Sequence, residues 1–164
     1  MKGQDGFSLV ELVVVVVSIL TLTAVATLYF RPLNEKHQVE SLTKEMYSVL
    51  MRARNDASTT STPQIVIVTA NGMRSGPDAD ANGVIDGNPV GVVQAPGYTI
   101  TFAASPITFD RRGLANPVQT LHIPKAPIEG GYSADVNPVI DCVAIEATRI
   151  NIGKMNDGGN CVQR

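Results

Sequence analysis

One carboxylate, Glu11, lies near the start of a predominantly apolar run that extends from Phe7 to Phe30. A carboxylate inside a membrane-spanning helix costs about 2.5–3.5 kcal/mol on insertion scales, and such groups usually have a partner. The run contains no Lys, Arg or His, and Arg31 lies about five helical turns further along. If Glu11 is paired, its partner therefore comes from outside this stretch.

Cleavage of the peptide bond between Gly6 and Phe7 would supply such a partner. The new α-amine of Phe7 would carry a positive charge near neutral pH. Within one chain this amine would lie one helical turn from Glu11, and in a bundle of helices it could meet Glu11 of a neighbouring chain. Pairing between chains would neutralise both charges and fix the axial register of neighbouring subunits.

A second stretch places oxygen-bearing side chains at alternate positions. The residues are Asp78, Asp80, Asn82 and Asp86. They match positions 1, 3, 5 and 9 of a calcium-binding loop, with Gly83 at position 6. Position 12 is Pro89, where such a loop has a bidentate glutamate, so any calcium would bind weakly. The alternative is a loop ordered by Asx turns, with exposed aspartates.

The chain contains two cysteines, Cys142 and Cys161. In a secreted protein two cysteines indicate one disulfide, whereas in a cytosolic protein they would be two free thiols. A disulfide between them would close a loop of about 20 residues and stabilise the fold by roughly 3 kcal/mol in the chain-entropy model. The interpretation of the N-terminal run therefore decides how the cysteines are interpreted.

No arrangement of residues indicates catalysis. His37 and His122 have no Cys or His at zinc-binding spacing, and no P-loop, dinucleotide fingerprint or Gly-x-Ser-x-Gly motif is present. His122 alternates with Leu121 and Ile123, so we expect it at an exposed strand position. We therefore expect a protein that is not an enzyme and has no cofactor, apart from the weak calcium considered above.

The 164 residues suit one soluble domain plus an anchor. Residues 7–30 would form about 36 Å of helix, which is enough to cross a bilayer core of about 30 Å. The run is too long for a signal peptide, and no small-residue cleavage site follows it. It is therefore predicted to remain as a transmembrane anchor.

Residues 31–62 are predicted to continue this helix in amphipathic form, because apolar residues recur every three or four positions. They are Val39, Leu42, Met46, Leu50, Ala53 and Ala57. In residues 63–164, sequence signals for strands alternate with signals for turns. The predicted strands are Ile65–Thr69, Val90–Val93, Tyr98–Phe102, Ile107–Phe109, Gln119–Ile123, Val139–Ala147 and Arg149–Ile152. The predicted fold class is α+β, with one long N-terminal helix packed on an antiparallel sheet.

The stretch KGQDG–FSLVEL, residues 2–12, resembles the leader and N-terminus of type IV prepilins and type II secretion pseudopilins. The resemblance implies a leader of residues 1–6, which a membrane-embedded aspartic peptidase removes after Gly6. It further implies N-methylation of Phe7 and pairing of Glu11 with the N-terminal amine of an adjacent subunit. The alternative is an ordinary signal anchor with an isolated glutamate.

The head resembles the GspH/FimT group of minor pilins and pseudopilins. Residues 107–115, ITFDRRGLA, are similar to the I-x-F-x-x-x-G strand and turn of that group, in which an Asp- and Gly-rich loop also occurs. A disulfide-closed C-terminal end, here Cys142 with Cys161, is common in the FimU/FimT type and less expected in the type II secretion member. The resemblance therefore implies a pilin-like fold and favours the pilus branch.

The implied function is that of a structural minor pilin, which is incorporated into a type IV pilus and primes it. The resemblance places residues 7–30 in the inner membrane as a single pass and the head in the periplasm until assembly. The implied partners are other minor pilins, the major pilin, the prepilin peptidase and the inner-membrane assembly platform. The alternative is a minor pseudopilin of type II secretion.

A third alternative is DNA binding, because some FimT-type minor pilins are DNA receptors with a Gly-Arg-x-Arg type motif. The similar stretch here, residues 147–151, has Thr148 for the glycine and Asn151 for the second arginine. Arg149 and Lys154 are the candidate phosphate contacts. The formal net charge is −2 and cations are few, so we expect a solvated basic edge and no nucleic-acid partner.

Overall fold

One helix, α1 (Leu9–Thr60), forms the N-terminal part of the chain. The computed structural model describes residues 8–125 and 130–163, apart from the side chains of residues 25–29. α1 continues through Pro32, although proline removes one backbone donor from a helix. It ends where Ser61 adopts a left-handed conformation with φ of 52°, two residues before Pro63. A single element thus includes most of the predicted anchor and its amphipathic continuation.

The head, residues 63–163, contains two antiparallel sheets, so the expectation of one sheet was wrong. The strands are β1 (Gln64–Thr69), β2 (Gly72–Pro77), β3 (Gly91–Gln94), β4 (Ile107–Phe109), β5 (Ala115–Asn116), β6 (Gln119–His122), β7 (Cys142–Ile145), β8 (Ile150–Met155) and β9 (Cys161–Gln163). The first sheet has the order β3-β2-β1-β4-β5 and the second has the order β6-β7-β8-β9. Sequence patterns indicate strands but not their partners, which is why the division into two sheets was missed.

The strand predictions were wrong at several places in the head. β2, β5 and β9 were not predicted. Glycine, proline and polar residues dilute the apolar pattern of β2, and β5 and β9 are only two and three residues long. β2 nevertheless forms because the two-residue turn Ala70-Asn71 folds it directly back on β1. Conversely, residues 98–102 alternate like a strand but form only an isolated bridge between Thr101 and His122.

The second half of α1 packs on both sheets and forms the core. All six apolar residues of the predicted helical stripe are buried, so this prediction is confirmed. They pack with Val66 and Phe109 of the first sheet and with Leu121 and Val143 of the second. Burial of each large side chain contributes about 1.5–3 kcal/mol, so this interface holds the head on the helix.

Cys142 and Cys161 form a disulfide, which confirms the predicted pairing. Cys142 lies in β7 and Cys161 in β9, and β8 runs between these strands. Gly153 of β8 is paired with Cys142. A Cβ atom at Gly153 would collide with the carbonyl oxygen of Val162 and lie 3.1 Å from the Cys161 sulfur. The bridge and the β9 backbone therefore require glycine at position 153.

Replacing Gly153 by Ala should lower the free energy of unfolding by about 1–3 kcal/mol, because the β9 backbone must shift. Gly158→Ala is the matched control, since a Cβ there would make only ordinary contacts, 3.5 Å or longer, and should change stability by less than about 0.5 kcal/mol. Denaturant unfolding of the oxidised protein in detergent measures both. Equal stability of the two variants would contradict the crowding at position 153.

Candidate assembly surface

The first half of α1 carries a continuous apolar surface that the head does not cover. Leu9 is 77% exposed, and residues 9–24 are exposed throughout. Isolated soluble domains rarely expose contiguous apolar patches of this size, which mark protein–protein or membrane contacts. Among the described residues, no helical segment combines the length and apolarity of a membrane span. What the structure shows in this half of α1 is therefore an exposed apolar surface.

Glu11 lies in the first turn of α1 and its side chain is exposed. No described residue forms an ion pair or a hydrogen bond with its carboxylate. The N-terminus of a helix carries partial positive charge, which favours an acidic side chain there. Gly6 and Phe7, the predicted cleavage and methylation positions, lie outside the described residues. Their assignments remain predictions, as does the assembly role of Glu11.

The hydroxyl groups in the same half of α1 are satisfied locally. Ser18 donates a hydrogen bond to the Val14 carbonyl at 2.7 Å, and Thr23 donates one to the Ile19 carbonyl at 2.7 Å. Thr21 likewise donates to the Ser18 carbonyl at 2.9 Å. These contacts leave the hydroxyls with little need for partners outside the helix. Glu11 is thus the group in this half that most needs a partner from elsewhere.

Carboxylates on α1 hold the head against the helix. The Glu35 carboxylate accepts hydrogen bonds from the Ser133 backbone N–H at 2.6 Å and from its hydroxyl at 2.8 and 3.0 Å. Glu40 accepts one from the Val139 N–H at 2.8 Å. The Tyr98 hydroxyl donates to Gln38 at 3.0 Å, and burial together with the Glu35 charge raises the pKa of Tyr98. The apolar half of α1 therefore projects from a head that is fixed to the other half.

A buried ion pair connects β7 and β8. Asp141 is 1% exposed, and its Oδ2 accepts hydrogen bonds from the Lys154 ammonium at 2.7 Å and the Tyr132 hydroxyl at 2.6 Å. Its Oδ1 accepts one from the Met155 N–H at 2.7 Å. Burial, and secondly the hydrogen bond to Asp141, raise the pKa of Tyr132 well above its usual value. Each side chain of the network has a hydrogen-bond partner, so neither charge is buried alone.

His122 borders this network as the last residue of β6, which confirms the predicted strand position, but it is half-buried, so the expectation that it is exposed was wrong. Burial lowers the pKa of His122, and the nearby Asp141 charge opposes that effect. Sequence reasoning also missed the network itself. The available signal was a single aspartate, Asp141, beside the apolar residues that become β7, because such an acid needs a buried partner.

The two candidate nucleic-acid contacts have different surroundings. Arg149 is exposed in the turn that joins β7 to β8. Lys154 lies roughly 16 Å further along β8, its side chain is 18% exposed, and its ammonium is bonded to Asp141 and Tyr132. The structure therefore does not bring them together as one phosphate-binding surface. DNA binding stays an untested alternative to the expected solvated basic edge, and Arg149 is the more exposed of its two candidate cations.

The acidic loop brings carboxylates together and also orders itself. Oxygens of Asp78, Asp80 and Asp86 lie within 4.8 Å of one another. Asp78 is only 3% exposed, and its two oxygens accept hydrogen bonds from the Asn82 N–H at 2.9 Å and the Gly83 N–H at 3.0 Å. Asn82 in turn accepts one from the Val84 N–H at 2.8 Å, which is an Asx turn. The grouping permits a hard cation, but internal hydrogen bonds account for the loop conformation.

The long helix and the antiparallel sheets packed on its second half define a pilin-like α+β fold, as the sequence predicted. The fold is similar to two crystal structures of the type IV minor pilin FimU from Pseudomonas aeruginosa strain PAO1, in space groups P21 and P65. The first is 19% identical, with a TM-score of 0.56, over 80% of this chain and 97% of the FimU chain. The second is 18% identical, with a TM-score of 0.54, over 76% and 97% of the two chains. At this identity the similarity shows the fold alone.

No family model and no curated protein matches the chain. The resemblance to minor pilins of the FimU/FimT type is thus supported at the level of the fold.

Replacing Asp78 by Asn in buffer containing EGTA should lower the free energy of unfolding by about 1–3 kcal/mol, because one of the two backbone N–H groups bonded to its buried carboxylate loses its acceptor. Asp80→Asn removes the same charge at an exposed position and should have an effect below about 0.5 kcal/mol. Denaturant titration measures the difference, and equal effects would rule out the hydrogen-bond explanation. The same titration with calcium tests the metal prediction, which requires a higher unfolding midpoint in the wild type.

Proposed function

We propose that this chain is a minor pilin that enters a type IV pilus through the apolar half of α1. The observation that supports the proposal most strongly is the exposed apolar surface of residues 9–24, which carries at its start the Glu11 carboxylate, to which no residue that the structure describes is bonded. The head is fixed to the other half of the same helix, so this surface remains available to other subunits. The fold of FimU, itself a minor pilin, is consistent with this role. The role is structural and not enzymatic.

The proposed sequence of events begins in the inner membrane. Residues 7–30 anchor the precursor as a single pass, with the head in the periplasm, and the prepilin peptidase removes residues 1–6. The amine of Phe7 is then N-methylated and retains its positive charge near neutral pH. In a bilayer the helix is already in an apolar solvent, so hydrophobic burial alone does not drive the next step.

Two terms favour transfer of the helix from lipid into a filament. The first is close packing of the apolar face, in which residues 13–17 are five consecutive valines with restricted χ1 rotamers. The second is the pairing of Glu11 with the Phe7 amine of a neighbouring subunit, because a carboxylate in hydrocarbon is costly when it is alone. The pair also sets the axial register, so a misaligned subunit retains two uncompensated charges.

The proposed partners are other minor pilins, the major pilin and the inner-membrane platform that adds subunits. In this proposal the chain belongs to the complex that primes the filament. The disulfide between Cys142 and Cys161 favours a pilus over a type II secretion pseudopilin, which is the alternative assignment. Deletion separates the two assignments, since it should abolish pili and leave secretion of folded proteins unchanged.

Replacing Glu11 by Leu should leave the protein in the membrane but reduce its incorporation into filaments by about tenfold or more, because the amine of the neighbour loses its countercharge. Ser18→Leu is the matched control on the same apolar half, and its incorporation should stay close to that of the wild type. The ratio of protein in sheared filaments to protein in membranes measures the effect. Normal incorporation of the Glu11 variant would contradict the pairing.

Replacing Gly6 by Leu should leave residues 1–6 attached, because the side chain would occupy the position next to the cleaved bond. Intact-mass spectrometry should then show the full-length chain without the added methyl group. Gly3→Leu places the same side chain inside the leader and should still be processed. A mature mass for the Gly6 variant would exclude cleavage at this position.

A further inference from the structure

A cleft of about 550 Å³ lies between α1 and the segment that joins β6 to β7. The helix contributes Arg31 and Asn34 to its lining, and the joining segment contributes Asp135. Asp135 lies in a turn that is closed by a hydrogen bond of 3.0 Å from the Val136 N–H to the Ser133 carbonyl. The volume is within the range of small-molecule sites, which is roughly 300–1,000 Å³.

The polar side chains of this cleft differ in whether the chain itself provides their partners. The Glu35 carboxylate is bonded to the backbone N–H and the hydroxyl of Ser133. By contrast, no residue that the structure describes is bonded to the guanidinium of Arg31, the amide of Asn34 or the carboxylate of Asp135. Arg31 and Asp135 thus line one cleft without forming an ion pair, so both charges can bind a ligand.

The charges of the cleft select a ligand that carries both signs. Among the described residues that line it, the charged side chains are the guanidinium of Arg31 and the carboxylates of Glu35 and Asp135. A purely anionic ligand would be repelled by the two carboxylates, and a purely cationic one would leave Arg31 without a partner. A ligand with a phosphate and an ammonium satisfies both, because the planar guanidinium binds phosphate oxygens through two parallel hydrogen bonds.

The kind of ammonium is limited as well. A primary ammonium has three N–H donors, which suit the Asp135 carboxylate. A quaternary ammonium has no N–H donor and is bound instead by cages of several aromatic rings. Among the described residues that line the cleft, Tyr98 supplies the one aromatic ring. The cleft is therefore better suited to phosphoethanolamine than to phosphocholine.

The position of the cleft along α1 indicates where such a ligand would come from. Arg31 directly follows the apolar run and is the first charged residue after Glu11. In the proposed anchor, residues 7–30 provide about 36 Å of helix for a bilayer core of about 30 Å. Arg31 then lies at the level of the lipid headgroups.

We propose that this cleft binds the headgroup of phosphatidylethanolamine, a zwitterionic membrane phospholipid. Its phosphate binds Arg31 and accepts a hydrogen bond from the Asn34 amide, and its ammonium binds Asp135. The inference rests on the proposed function, because only an anchored chain holds Arg31 at the membrane surface. The bound lipid keeps this end of the head at the bilayer surface before assembly, and it is released when the helix enters a filament.

Native mass spectrometry of the full-length protein in detergent tests the site by comparing phosphatidylethanolamine, phosphatidylcholine and phosphatidylglycerol with identical acyl chains. Because the apolar half of α1 can bind any acyl chain, only differences between headgroups report on the cleft. The wild type should bind phosphatidylethanolamine about tenfold more tightly than the other two lipids. Asp135→Asn should abolish its preference over phosphatidylcholine, and Arg31→Gln should weaken binding of phosphatidylethanolamine about tenfold. Asp157→Asn is the matched control, because Asp157 is exposed and lies outside this cleft.

Equal binding of the three lipids by the wild type, or an unchanged preference in the Asp135 variant, would overturn the inference. Loss of the preference in the Asp157 control would overturn it too, because the selectivity would then not depend on the cleft. Water-soluble glycerophosphoethanolamine should bind more weakly than the lipid, and equally tight binding would overturn the assignment to a membrane lipid. Recovery of the wild type outside the membrane fraction of cells would instead refute the anchor in the proposed function.

Discussion

The apolar surface of α1 is the constraint on which the rest of the structure depends. The helix has 52 residues and is therefore roughly 78 Å long, far longer than the head can cover. From Val39 onward the head buries its apolar stripe, and this burial determines how both sheets pack. From Leu9 to Ala24 no described residue covers it. One helix thus supplies a core to its own chain and, in the proposed function, a core to a filament.

Polar contacts hold the head on the second half of α1, and in the proposed function they keep it attached while the exposed half enters a filament. Glu35 and Glu40 bond the segment between β6 and β7 to the helix, and the Asp141–Lys154 pair and the disulfide bind the strands that follow. These polar contacts are paired, so they add geometric definition without leaving a buried charge alone. Glu11 differs from them, because it is a carboxylate whose partner is absent from the described chain.

The sequence predicted the features that local periodicity determines. The stripe from Val39 to Ala57 follows the 3.6-residue helical period, and all of its residues are buried. β2 was missed because it forms through the tight turn at Ala70-Asn71, and β5 and β9 were missed because they form by pairing with β4 and β8. Composition does not reveal these contacts. The two-sheet arrangement was missed for the same reason.

Of the candidate site residues, the cysteine pair was predicted correctly because only one pairing exists between two cysteines. Lys154 was considered as a phosphate contact because its partner Asp141 is 13 positions away in the sequence. Only the register of β7 on β8 shows that the two side chains meet in the interior. The surroundings of such a cation depend on long-range contacts, which no local pattern contains.

Oxygen accessibility of a spin label at position 13, introduced by Val13→Cys, tests the central claim most directly, because both native cysteines are in the disulfide. In the membrane the label should face lipid and be readily accessible to oxygen. In isolated filaments it should become immobile and lose most of that accessibility, because neighbouring helices cover the residue. A label that remains mobile and accessible in filaments that contain the protein would contradict burial of this half of α1 by other subunits.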